Sequence, residues 1–334
     1  MQVVEYNHYG GPEVLHLAER PEPTPGPREI VIRNFYTTVN FGDLLGRRFG
    51  KVSADRFTMP VVLWLLARLD FGFFRPRKKI LGSEFAGKVI NIGEEVSRFK
   101  IGDTVFGYLG QKMGAYAEML KMRETATVAP VPPTINMKEA ASLPYGLVMA
   151  FSLAEKAALR PGQRVLIIGA GGSLGAAFLQ YAKLAGCQVT ALCGKNSRDY
   201  VKNLGADRIV DYRQTDLTRE AEKYDLIFNV LGKGSFEQYR PILKPKGVYL
   251  LASFKMRELG QMLLSRFRSG PKVKCVLGSD NQENLRKISG MLREGKLRTT
   301  YDRIFSASEA AAAHRYAESG LRKAPVLISF NGNI

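Results

Sequence analysis

The residues with the clearest chemical meaning lie between Arg164 and Gly186, in RVLIIGAGGSLGAAFLQYAKLAG. Its apolar opening predicts a buried strand, and Gly169, Gly171, Gly172 and Gly175 follow at once, with Ser173 and Leu174 between them. An amphipathic helical pattern then begins without a linker. Glycine is needed where a turn is tight, where a phosphate must approach the backbone, and where helix and strand pack closely. The amides that open the helix are then available to an anion. A second apolar run, QVTALCG, completes a strand–helix–strand unit, and in that setting the turn predicts a pyrophosphate site for a dinucleotide.

The end of the second run helps choose the cofactor. An NAD site places an acid there to bond the ribose hydroxyls. This chain has CGKNSRD instead, with Gly194, Lys195 and Arg198 and no acid before Asp199. Lys195 and Arg198 suit a ribose 2′-phosphate, so the reading expects NADPH. The competing reading makes both of them ordinary solvated cations at a helix start.

The elements that position this turn show two textures. From Gln2 to about Met122, short β-like runs such as EIVIRNFYTTVN and AGKVINIG are separated by Gly, Pro and Asp turns, as in an irregular β barrel or sandwich. From about Ala140, apolar runs alternate with helical segments: RVLIIGA, QVTALCG, DRIVDY, DLIFNVLG, GVYLLAS and KVKCVLG. That alternation predicts an α/β fold with a doubly wound parallel sheet. The last stretch, from Leu297, reads as a strand, an Ala-rich helix and a closing strand.

Composition narrows the classes. A chain of 334 residues with 45% hydrophobic content can bury a substantial core and favours two domains. Three cysteines at 187, 193 and 275 form neither a disulfide framework nor a paired metal knuckle, which favours a reducing compartment. The amino terminus has no basic stretch followed by an apolar one, so neither a secretory signal nor a transit peptide is expected and the location reads as cytoplasmic. A formal charge of +18 attracts polyanions in general, but no arginine-rich tract or RNA-binding motif focuses it, so no specific nucleic acid is expected.

The ordered motifs YGGPEVLHL, TTVNFGDLLGR, LGSEFAGKVINIGEEVSRFKIGDTVFG, GAYAE, AASLPYG, GAGGSLGAAFLQYAK, LGADRIVDY and AAAHRYAESG resemble the medium-chain dehydrogenase/reductase superfamily. Within it the chain is similar to the zinc-independent quinone oxidoreductase branch, over essentially its whole length. The resemblance implies a GroES-like, β-rich catalytic domain of residues 1–124 and 296–334. It also implies a Rossmann cofactor domain of residues 125–295, with NADP(H) in the cleft between the two and a homodimer as the common assembly. The zinc alcohol dehydrogenases bind catalytic metal through Cys, a Gly-His-Glu motif and a later Cys. The matching places here hold Asn40 and Ser83, and the first 186 residues contain no Cys and only His8 and His16, so no tetrahedral site can be assembled.

Without a metal to polarise an alcohol, the resemblance implies hydride transfer to a small apolar acceptor, either a quinone or an α,β-unsaturated carbonyl. The rival reading is a weakly catalytic or non-catalytic NADPH-binding relative acting as a basic RNA- or membrane-associating protein. Candidates for orienting the acceptor are Asn40, Asp43 and Tyr145. Asn40 competes with a turn-stabilising amide, Asp43 with a helix N-cap, and Tyr145 with core packing. Tyr212 matches an adenosine-side contact, while Leu231, Gly232, Ala252 and Ser253 fall at strand ends bordering the nicotinamide. Some positions depart from the family pattern: Leu45 stands where some quinone oxidoreductases carry a Tyr, Met149 stands for a Thr, and Gly194 for a Ser.

One segment fits no family motif. Thr58 to Lys79, TMPVVLWLLARLDFGFFRPRKK, is the most apolar stretch and ends in a basic tail. Met59 to Phe74 would span only about 24 Å as a helix, too short for a bilayer of about 30 Å. Val62, Leu65, Leu66, Leu69 and Phe73 share one helical face. Its place between two cleft motifs suggests a pocket wall or lid with that face inward and Trp64, Phe71 and Phe73 against the acceptor. Simple packing and peripheral contact with an anionic membrane stay open.

Overall fold

The structure is a computed structural model that describes residues 1–279 and 281–330. In chain order its strands are β1 (Gln2–Glu5), β2 (His16–Glu19), β3 (Glu29–Val39), β4 (Glu84–Ile92), β5 (Thr104–Tyr108), β6 (Met119–Arg123), β7 (Val128–Pro130), β8 (Arg164–Ile168), β9 (Gln188–Cys193), β10 (Arg208–Asp211), β11 (Tyr224–Asn229), β12 (Leu243–Leu251), β13 (Lys272–Cys275), β14 (Arg303–Ser306) and β15 (Val326–Ser329). The helices are α1 (Phe41–Arg47), α2 (Val61–Phe71), α3 (Met137–Ala141), α4 (Pro144–Ala157), α5 (Ser173–Leu184), α6 (Arg198–Asn203), α7 (Phe236–Tyr239), α8 (Met256–Phe267), α9 (Gln282–Arg293) and α10 (Ala310–Glu318). The chain divides into two compact units. One takes Met1–Val52, Ala67–Val148 and the described residues after 280, and the other takes Ser53–Leu66 and Met149–Ser279.

The first unit is organised around β3. Its β-branched and aromatic residues form a strand long enough to pair with β6 through Glu29–Arg33 and with β15 through Tyr36–Val39. The resulting sheet runs β14-β15-β3-β4-β5-β7, and β15 joins β14 in parallel but β3 antiparallel. Ile30, Ile32, Phe85, Val89, Val105 and Leu120 meet in one apolar core. The carboxy-terminal strand–helix–strand thus joins the sheet of the amino-terminal β unit.

A buried polar chain helps hold that return. Arg47 of α1 is 2% exposed and donates to both carboxylate oxygens of Glu318 of α10 at 2.8 Å. Its other terminal nitrogen lies 3.1 Å from His314 Nδ1, and Tyr116 Oη lies 2.9 Å from His314 Nε2. A guanidinium only donates, so Nδ1 accepts and Nε2 carries the ring proton toward the Tyr116 oxygen. Burial, aided by the Arg47 charge, holds His314 well below the ordinary histidine range and keeps it neutral.

The second unit is a six-stranded sheet in the order β10-β9-β8-β11-β12-β13. Every pairing in it is parallel. The six apolar runs of the sequence are these six strands, and their order from β8 is that of a Rossmann sheet. Leu166, Ile168, Ile227, Tyr249 and Leu251 share a core, against which Met59 packs from the segment before α2. On β11, Phe228 lies 4.2 Å, ring to ring, from Phe178 of α5. Among the described residues no helix is long and apolar enough to cross a membrane.

Removing the carboxylate of Glu318 strands the Arg47 charge in the interior. Because Glu318 is itself 26% exposed, water offsets part of that cost. Glu318→Ala should lower unfolding free energy by about 2–3 kcal/mol in urea titration followed by circular dichroism. An unchanged midpoint would remove the pair from the framework of this unit.

Candidate functional site

The glycine turn occupies the carboxyl end of β8 in the second unit. The Leu192 carbonyl of β9 accepts from Gly169 N–H at 3.0 Å and from Ala170 N–H at 3.2 Å, which ties the turn to the neighbouring strand. At Gly175 a Cβ would lie 2.3 Å from the Gly169 carbonyl oxygen, and at Gly171 it would lie 2.6 Å from the Ser197 side chain. Both are separations that real side chains do not reach, so close backbone packing explains these two glycines. Gly172 caps α5 with no side-chain bond, leaving the donors at Ser173, Leu174 and Gly175 in a first turn that has no intrahelical acceptors for them. Such a turn fits an anionic pyrophosphate.

The other residues expected at the cofactor line neighbouring strand ends. Gly194 follows β9, and a Cβ there would meet the Tyr212 ring at 3.6 Å. Lys195 and Arg198 are exposed on the short turn that opens α6, and neither joins an ion pair among the described residues. Leu231 lies over the turn, 2.8 Å from where a Gly169 Cβ would stand. Gly232 sits at φ +63 against Ser253, whose hydroxyl donates to the Val230 carbonyl at 3.0 Å, and the Ala252 amide donates to Asn229 O at 3.2 Å.

Asn229, which sequence reasoning passed over, organises this corner. It is fully buried; its Oδ1 accepts from the Leu231 and Gly232 amides, and its Nδ2 donates to Lys233 O and Tyr249 Oη. An amide side chain ending an apolar strand, one residue before a turn, was the available signal.

In the first unit, Asn40 and Asp43 form one device. Asn40 is the N-cap of α1: its Oδ1 accepts from Gly42 N at 2.8 Å and Asp43 N at 3.2 Å, while Asp43 Oδ2 accepts from Asn40 N at 2.9 Å. The cap is therefore Asn40, and Asp43 closes the box as its partner three residues on. The second Asp43 oxygen accepts from Gly82 N at 2.9 Å. Asn40 Nδ2 donates to Ser83 Oγ at 2.7 Å and points a second hydrogen toward Glu84 at 3.4 Å. The two positions that the resemblance sets against zinc ligands thus bond each other. Among the described residues no three His, Cys, Asp or Glu side chains form a metal-binding group.

Glu84 is the member of this site that sequence reasoning missed. It is 1% exposed, accepts from the Thr38 hydroxyl, and takes the Tyr145 amide on its other oxygen at 2.8 Å. Its signal was an acid inside the apolar β run GSEFAG. Burial raises the Glu84 pKa, and the Thr38, Tyr145 and Asn40 bonds oppose that rise. Tyr145 is half-buried, with its ring 5.8 Å from that of Tyr108. Burial, with Glu84 and Asp43 adding to it, pushes its phenol up to about 12.

The apolar segment is oriented differently from the inward reading. Val62, Leu65, Leu66 and Leu69 are all roughly half exposed, and Phe73 is 39% exposed beneath the Arg68 guanidinium. The opposite side of α2 is the packed one. The Phe71 ring packs tilted against Phe49 with centroids 5.2 Å apart, Arg68 donates to Phe49 O at 3.2 Å, and Tyr9 Oη donates to Phe71 O and Gly72 O at 2.7 and 2.8 Å. Trp64 is half-buried. The aromatic and arginine side offers more contact area plus directional bonds, so it outcompetes the aliphatic stripe.

Burial pushes Asp43 up to about 7, against the opposing bonds from Asn40 and Gly82 and with the Glu84 charge adding to the rise. The folded protein therefore holds this proton more tightly than the unfolded chain does. Its stabilising contribution is complete below the ordinary aspartate range and is lost as pH rises through about 7. The stability gap between the native chain and Asp43→Asn should narrow from about pH 4 to about pH 8, by on the order of 4 kcal/mol at full titration. A gap in urea midpoints that widens with pH would contradict this.

Comparison with known proteins agrees with this geometry. The family description "Alcohol dehydrogenase GroES-like domain" matches residues 26–133, and "Zinc-binding dehydrogenase" matches residues 204–323. A chloroplastic quinone oxidoreductase of Triphysaria versicolor is 30% identical over 94% of this chain and 93% of its own length. A 2-methylene-furan-3-one reductase of Solanum lycopersicum is 27% identical over 98% of this chain and 79% of its own length. The solved quinone oxidoreductase of Coxiella burnetii superposes with a TM-score of 0.81 at 25% identity, covering 99% of each chain. With a parallel sheet in Rossmann order and a GroES-like unit, the chain is an oxidoreductase built for a nicotinamide cofactor and belongs to the zinc-independent quinone oxidoreductase branch of the medium-chain dehydrogenase/reductase superfamily.

Proposed function

We propose that the chain is an NADPH-dependent reductase that delivers hydride to quinones or to α,β-unsaturated carbonyls such as enals and enones. The observation that carries this reading is the exposed pair Lys195 and Arg198 just beyond β9, where no carboxylate precedes Asp199. The glycine turn and the amides of Ser173, Leu174 and Gly175 hold the pyrophosphate, and the two cations hold the 2′-phosphate. Tyr212 serves the adenosine side, and Leu231, Gly232, Ala252 and Ser253 border the nicotinamide. The names of relatives support the acceptor class, one being a quinone oxidoreductase and another a reductase of a methylene-furanone.

The nicotinamide supplies a hydride when bound; the chain's own residues orient the acceptor and keep water out. With its pKa pushed up to about 12, the Tyr145 phenol stays protonated at neutral pH and donates a hydrogen bond to the acceptor's carbonyl oxygen. Asn40 and Asp43, whose polar atoms are already engaged, position the loop around it rather than exchange protons. The proton that completes reduction comes from solvent. The working assembly is a homodimer.

Purified chain should oxidise NADPH with members of a quinone, enal and enone panel, and no turnover with any acceptor would sink the proposal. Lys195→Ala/Arg198→Ala should weaken NADPH binding on the order of 100-fold while changing NADH binding less than about threefold. Equal losses for the two cofactors in titration calorimetry would defeat the 2′-phosphate assignment.

A further inference from the structure

Helix α2 and the segment after it present a surface that the oxidoreductase reading does not use. Val61, Val62, Leu65, Leu66 and Leu69 are each 48–61% exposed, and their spacing places them along one side of the helix. Phe74, just beyond the helix, is 94% exposed. The remaining side is committed to the protein through Arg68, Phe71 and the Tyr9 hydroxyl. The aliphatic stripe is therefore not a face awaiting rotation into the core.

The charge around the stripe selects its occupant. Arg75, Arg77 and Lys79 are exposed immediately after it, and Lys78 pairs with Asp70, the only acid of the helix. Residues 51–80 carry seven Lys or Arg against two Asp. A polyanion with no apolar interior would leave the valines and leucines in water, and a purely apolar surface would leave the cations uncompensated. A layer that is anionic at its face and hydrocarbon beneath satisfies both. At about 16 Å the helix is too short to cross a bilayer, but it can lie in its interface. We propose that the outward face of α2, with the basic segment Arg75–Lys79, is a docking surface for an anionic lipid bilayer.

The test is co-sedimentation of the full chain with vesicles. It should pellet with equal parts phosphatidylglycerol and phosphatidylcholine, stay in solution with phosphatidylcholine alone, and be released as salt is raised. Val62→Ser/Leu66→Ser/Phe74→Ser should lower affinity for the anionic vesicles at least about tenfold, with an unchanged thermal midpoint. Arg75→Gln/Arg77→Gln/Lys79→Gln should abolish the preference for anionic lipid. If the triple serine variant fails to fold, Phe74→Ser alone reads the same contact. Three results would overturn the proposal: no binding of the native chain to anionic vesicles, full binding by a folded serine variant, or a native dimer that the serine variant converts to monomer, which would put a second copy on this face.

Discussion

A carboxylate buried without a cation is the constraint on which the first unit depends. Glu84 opens the apolar strand β4 with no basic partner in any ion pair among the described residues, and only neutral donors compensate it. Those donors come from three elements: the Thr38 hydroxyl at the end of β3, the Asn40 amide at the cap of α1, and the Tyr145 backbone at the start of α4. Losing any of them would expose an uncompensated charge to the interior, a penalty of several kcal/mol. The need to satisfy one acid therefore fixes a strand end and two helix starts together. Asp43, holding the Asn40 and Gly82 amides, repeats the arrangement one layer away.

The second unit solves the opposite problem. There the backbone comes so close to itself that side chains are removed, and polar groups are left open instead of being filled. The turn after β8 spends its outer amides on the Leu192 carbonyl and leaves the first amides of α5 without internal acceptors. Asn229 at the end of β11 and Ser253 just beyond β12 do equivalent work, both using side chains to satisfy the backbone of the turn that follows β11. Backbone donors are thereby concentrated at one end of a parallel sheet built on an apolar core.

Helix α2 shows how a strong sequence pattern can point the wrong way. Its aliphatic residues do share one face, as their spacing requires, but a helix buries whichever side gains more on contact. Phe71 and Arg68 gain a ring contact with Phe49 and a bond to Phe49 O, and Tyr9 secures the helix end. Leucines at half exposure lose only part of their transfer free energy by comparison. Periodicity locates a stripe; it does not say which side of the helix has a neighbour.

Much of this protein was legible before any coordinates. The six strands of the Rossmann sheet, the glycine turn and the absence of an acid between β9 and Asp199 are all properties of short segments, decided by patterning, φ requirements and side-chain chemistry within a few residues. Glu84 and the Arg47–His314–Tyr116 chain were not legible, because their meaning depends on partners 44 to 267 residues away. An isolated acid or amide in a sequence reads as solvated by default. Only the tertiary structure decides that it is buried, and burial turns a lone polar atom into a group whose neighbours must all be accounted for.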